Sequence, residues 1–129
     1  MKDLDRIACG LPLVSRHDSP DGRPSYKVKG VLFCCHRGQR PDAVDERGQR
    51  LDDVLMFRVA GPEAKAAMLA DPAAPYFTTP HFNGYPAVLL RIKDLRRLDR
   101  DELFELVADA WLTRAPKRVA AAWLSEHVS

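Results

Sequence analysis

No apolar run in this 129-residue sequence approaches the roughly 18 to 20 residues that a bilayer-spanning helix needs. No membrane segment is therefore expected. The first residues, Met-Lys-Asp-Leu-Asp-Arg-Ile, are too charged for the apolar region of a signal peptide. A cytoplasmic location is the resulting expectation. Cysteine is scarce, with three residues at Cys9, Cys34 and Cys35. Neighbouring strand residues point to opposite faces, so a Cys34–Cys35 bridge would be strained. Buried thiols are the plain expectation. A metal site on Cys34, Cys35 and His36 lacks a second Cys or His pair at ligand spacing. Charge of one sign is also lacking: 20 Lys plus Arg against 18 Asp plus Glu leave a net charge of +2. That excludes a uniform polyanion-binding coat but allows a local basic patch.

Catalytic signatures are missing too. There is no Gly-rich phosphate loop, no Gly-x-Ser-x-Gly elbow and no His-Glu-x-x-His. His17, His36, His81 and His127 are scattered, and Asp52–Asp53 flank a strand start rather than form a carboxylate pair. Folding could assemble a Cys35–His81 pair, but nothing selects it over other Cys–His combinations. The expectation is a protein that is not an enzyme, with no cofactor and no metal.

What is present is the composition of an ordinary globular domain, 46% hydrophobic and 29% charged. One domain over residues 1–129 follows from the length. Leu4, Ile7 and Ala8 have helical spacing, with Gly10 as a stop. Val14 to His17 reads as a short strand, and Asp18-Ser-Pro-Asp-Gly as a turn. Residues 25–36 read as a hairpin turning at Lys29-Gly30. Residues 37–50 read as a polar loop, solvated first and a binding loop second. A strand over 53–59 leads to Gly61-Pro62-Glu63, a helix start that must end before Asp71-Pro72. The aromatic segment Pro75 to Pro86 runs into a strand from Ala87 to Lys93. Asp99 and Glu102 have capping-box spacing, and Leu103, Leu106, Val107, Ala110 and Trp111 form one helical stripe. A last helix carries Val119 and Trp123. Hairpin-linked strands followed by helices predict an α+β domain, an antiparallel sheet with helices packed on one face.

Two constellations are candidate sites. Alternation places Lys27, Lys29, Arg91 and Lys93 on the sheet face away from Tyr26, Val28, Val88, Leu90 and Ile92, and Arg58 opposite Phe57 and Val59. Five cations without an acid form a surface for phosphates. The plainer reading is a row of solvent-facing side chains that discourage edge pairing. The second candidate is Thr78 to Tyr85, where His81 and Asn83 stand beside the Tyr85 ring. Its aromatics either anchor a long loop on the core or stack a nucleobase on an exposed Tyr85.

The order and spacing of these pieces carry a resemblance. Gly22-Arg23-Pro24 leads into Tyr26-Lys-Val-Lys-Gly30, then come Met56-Phe-Arg-Val, the Gly61-Pro62 helix start, Asp71-Pro72, and Tyr76 to Tyr85. Together they resemble the MmcQ/YjbR family of small bacterial proteins, from Leu4 to about Arg118. The resemblance implies a compact α+β fold compared with frataxin (CyaY)-like proteins and secretion chaperones, and a DNA-binding role. Gly84-Tyr85 stands where the family often has Gly-Trp, and Lys117-Arg118 matches a basic pair often seen there. The polar loop 37–50 is longer than the family's usual connection, and residues 119–129 form a C-terminal helical extension.

Three functions from different classes follow. The first is a non-catalytic DNA-binding or regulatory accessory protein, its phosphates tracked by Lys27, Lys29, Arg58, Arg91 and Lys93, with Arg23, Lys117 and Arg118 at the margins. The second is a protein-interaction or chaperone-like module, with a protein partner or homodimer docking on Met56 and Leu89. The third is a small-ligand protein using His81, Asn83 and Tyr85.

Overall fold

A computed structural model describes residues 1–127. Its order is helix α1 (Lys2–Gly10), strands β1 (Val14–Asp18), β2 (Pro24–Val28), β3 (Val31–His36) and β4 (Val54–Arg58), helix α2 (Pro62–Ala70), strand β5 (Ala87–Arg91), and helices α3 (Arg100–Leu112) and α4 (Lys117–His127). The five strands form one antiparallel sheet in sequential order. The α+β expectation therefore holds. No helix among the described residues is long and apolar enough to cross a membrane. The extension expected over 119–129 is α4, whose start lies at Lys117; Val128 and Ser129 lie outside the described residues.

Local chemistry explains the elements. β2 and β3 meet at Lys29-Gly30, both with positive φ (47° and 82°), the geometry of a tight hairpin that follows strand twist. Asp99 accepts from the Glu102 backbone N–H, and the Glu102 side chain accepts from that of Asp99, completing the capping box of α3. β1 is one edge strand, and its Arg16, His17 and Asp18 are charged or polar, which discourages edge-to-edge pairing.

One face of the sheet carries the main core. Tyr26, Cys34, Phe57 and Val88 lie opposite one another across four strands. They pack with Leu4 and Ala8 of α1 and Leu106, Val107 and Trp111 of α3. A bulge in β3 beside Tyr26 turns both Phe33 and Cys34 inward. Asp5 of α1 ties helix to sheet by accepting from Tyr26 Oη (2.9 Å) and Arg16 Nη1 (2.6 Å).

The other face departs from the expectation. β4 is buried along its whole length, and Val54, Met56, Ala87 and Leu89 form a second small core with Ala43. Leu51, Phe77 and Phe82 pack on it. The polar loop 37–50 and the aromatic segment fold over this face, and Phe77 pairs with Leu89 through two backbone hydrogen bonds of 2.9 Å. The strand expected to reach Lys93 ends at Arg91, because residues Ile92–Arg97 wind into a 3-10 turn.

Candidate functional site

The covered face leaves a cleft of about 740 Å³ between the sheet, the loop after β3 and the aromatic loop. Ser25, Leu32, Cys35 and Met56 form its floor, His36, Arg37, Arg40 and Asp42 one wall, and His81, Phe82 and Tyr85 the other. The sheet supplies the apolar base, and the two loops supply the polar and aromatic groups.

Three contacts shape the walls. Arg37 Nη2 donates to both Asp42 carboxylate oxygens (2.9 and 3.2 Å), and Thr79 Oγ1 donates to Asp42 at 2.6 Å. The Arg37 guanidinium also lies 4.7 Å from the Phe82 ring centre, a favourable cation–π arrangement. Burial alone pushes the Asp42 pKa up, but the hydrogen bonds from Thr79 and Arg37 and the Arg37 charge leave it lowered overall. Behind the aromatic wall, the ammonium of Lys65 on α2 donates to the carbonyls of Phe82 and, at 2.8 Å, Tyr85. Lys65 is buried, which lowers its pKa.

Lys65→Met takes the charged donor from those two carbonyls and leaves each with one backbone N–H, that of Tyr85 on Phe82 and that of Ala87 on Tyr85. The expected cost is about 1–3 kcal/mol. Urea unfolding reads the stability, and faster hydrogen exchange of the residue 82 and 85 amides, which close this loop through bonds to Thr79 and Phe82, reads the loosened wall. Unchanged stability together with unchanged exchange would exclude Lys65 as the clamp.

Tyr85 is 40% exposed and lines the cleft, with the Arg58 guanidinium over its ring. His81 lines it too, with its ring 5.1 Å from that of Phe82, edge to face. Asn83 is exposed just after the 3-10 turn Pro80–Phe82 and is not part of the lining. Cys35 is half-buried in the floor, and desolvation pushes its thiol up to about 11. Its neighbour Cys34 is buried on the opposite face, where desolvation also raises it. Among the described residues no three His, Cys, Asp or Glu side chains converge as metal ligands.

The cationic sheet face is corrected. Lys27, Arg58 and Arg91 do share the outer face, but Lys29 sits in the hairpin turn and exposed Lys93 in the 3-10 turn after β5. Arg58 and Arg91 stand at opposite ends of the β4–β5 pair, since Arg58 faces Ala87 and Arg91 faces Val54. Arg58 is covered by Tyr85, and Arg91 Nε donates to Asp53 at 3.0 Å. Lys117 and Arg118 open α4, which packs on the main core through Val119 and Trp123, so they belong to the helix side of the sheet. Arg23 donates to Asp21 and lies by Gly38, at the rim of the cleft. The apolar patch expected for a protein partner is also corrected: Met56 and Leu89 are buried under the protein's own loops.

Sequence reasoning missed Arg37, Arg40, Asp42, Thr79 and Lys65. Arg37 and Arg40 flank Gly38 in the loop read as solvated first, which was the one signal available. A second recess of about 590 Å³ opens on the helix side, lined by Arg58 at the end of β4 together with Met68, Tyr76, Leu106 and Leu112. Its rim carries Glu102, Glu105 and Asp109, which repel anionic ligands, so the outer-face cleft is the better fit for phosphate chemistry.

A family model described as YjbR matches residues 10–113. Uncharacterized proteins of Mycobacterium tuberculosis and Mycobacterium bovis are each 37% identical to this chain over 125 residues, covering 95% of it and 94% of their own length. That coverage takes in most of α4, which lies beyond the family match. No solved structure matches.

Proposed function

The chain belongs to the YjbR family, and on that premise we propose that it is a non-catalytic DNA-binding accessory protein that takes single-stranded DNA in the outer-face cleft. The observation that carries the reading is an exposed Tyr85 ring sharing an open cleft with Arg40. Arg40 is exposed and makes no ion pair among the described residues. A stacking ring beside a cationic groove is how proteins hold single strands with little sequence preference. The base stacks on Tyr85, and phosphates meet Arg40 and the rim residue Arg23. Duplex DNA is the poorer ligand here, because it needs a broad basic surface and the outer face has no such continuous row of cations.

Fluorescence anisotropy of labelled single-stranded and duplex oligonucleotides at two salt concentrations tests this. Single strands are expected to bind in preference, with log K falling by about 0.7 per phosphate contact for each decade of salt. Tyr85→Ala is expected to cost about 1–3 kcal/mol of binding, and Arg40→Glu to flatten the salt dependence. Absence of binding at low salt overturns the reading; competition by a mononucleotide alone would instead favour a small-ligand protein using the same cleft.

A further inference from the structure

The helix-side recess combines an apolar floor, an aromatic ring and unmatched negative charge. Glu102, Glu105 and Asp109 follow one another along one face of α3 and all line it. Like charges at such spacing weaken a helix, and no ion pair among the described residues neutralises any of the three. Glu102 has a structural use in the capping box; Glu105 and Asp109 have none there. Desolvation, and then the Glu105 charge, raises the Asp109 pKa. Arg58 is the one cation among the described lining residues, and its guanidinium is engaged by the Tyr85 hydroxyl and ring. Between the acids and the floor of Met68, Leu106 and Leu112 stands Tyr76, whose hydroxyl pKa is raised by desolvation and then by the Glu102 charge.

We propose that this recess binds an organic ammonium with an apolar body, the body on Met68, Leu106 and Leu112 and the charged head between Tyr76 and the α3 carboxylates. A volume of about 590 Å³ is in the range of small-molecule pockets. An aromatic ring attracts an ammonium through its quadrupole, and the carboxylates attract it through charge. The bound cation also relieves the repulsion between Glu105 and Asp109. An anion meets three like charges, and an uncharged ligand leaves them unmatched. A bare metal ion fits poorly, because among the described residues no three acids converge as ligands. The recess lies on the helix side and the DNA reading uses the outer face, so the two stand or fall separately.

The test is a titration of the full chain at neutral pH with phenylpropylamine, phenylpropanol and phenylpropanoate, following the Met68 methyl signal by NMR. The amine is expected to move that signal and saturate, with the alcohol weaker and the carboxylate weakest. Glu105→Gln combined with Asp109→Asn should weaken the amine about tenfold and leave oligonucleotide binding unchanged. Both changes are at exposed positions and remove a repulsion, so the variant should fold, and its Tm checks this. A motionless Met68 signal with the amine overturns the proposal. So does either analogue binding as tightly as the amine, or a double variant that binds the amine as the wild type does. Movement of the signal with protein concentration alone assigns the recess to a second copy of the chain and overturns the amine.

Discussion

Trp111→Ala is expected to remove about 3–5 kcal/mol of stability. The ring is completely buried at the centre of the main core, and alanine leaves a cavity that the sheet and α1 cannot close without moving. Its indole Nε1 also donates to the Pro12 carbonyl at 3.0 Å, tying α3 to the connection between α1 and β1. Trp123 of α4 rests on it at 5.4 Å between ring centres, so the loss reaches the C-terminal helix as well. A small domain holds about 5–15 kcal/mol in total, so this single change brings the protein close to unfolding. Trp111→Phe keeps most of the volume but orphans the Pro12 carbonyl, and a smaller cost of about 1–3 kcal/mol is expected. Urea unfolding midpoints at unchanged m-value measure both. Trp111 lies across the sheet from the cleft, so the folded fraction of either variant should bind its ligand as the wild type does. Equal stability of Trp111→Ala and wild type would mean that α3 is not packed as described.

Asp42→Ala acts on the other face. It leaves the largely buried Arg37 without its bidentate partner and Thr79 Oγ1 without an acceptor. Removing one partner of a buried pair costs about 3–5 kcal/mol; the partial solvent contact of Asp42 reduces this to about 2–3 kcal/mol. The change also unties the loop after β3 from the aromatic wall, so ligand affinity should fall together with stability. Asp42→Asn keeps an acceptor for Thr79 and should recover part of the loss. The pH dependence has a definite sign. Because the folded-state pKa of Asp42 lies below its ordinary value, its stabilisation is complete above the ordinary carboxylate pKa of about 3.9. It is lost as pH falls through the lower folded value. The stability gap between wild type and Asp42→Ala should therefore narrow below about pH 4. A gap that stayed constant down to acid unfolding would show that the carboxylate charge contributes nothing. Asp5, whose pKa is lowered chiefly by the hydrogen bond from Tyr26, titrates in both proteins and leaves the comparison intact.

The parts of this protein legible from sequence are those written in neighbouring residues. The Lys29-Gly30 turn, the Gly61-Pro62 helix start and the Asp99–Glu102 capping box each depend on a few consecutive backbone angles and short-range hydrogen bonds, so their residues announce them. Alternation in β2 and the stripe on α3 likewise identified the face that meets the helices, and with it the α+β class. The ligand loop was half legible: Tyr85 and His81 do line the cleft, while Asn83 stands outside it.

What covers the second face was not local information. Alternation states that Lys27, Arg58 and Arg91 point away from the main core, but not whether water or another part of the chain meets them there. The answer came from contacts made across long stretches of sequence: Thr79 with Asp42, Tyr85 with Arg58, Lys65 with the Phe82 and Tyr85 carbonyls. Those contacts turned an expected cationic surface into a second core with a cleft above it, and they left Arg58 buried under Tyr85 with no ion pair among the described residues. A side chain's type and spacing fix the direction in which it leaves the backbone; only the folded chain fixes what it meets, because burial and charge pairing belong to the neighbours that tertiary structure brings.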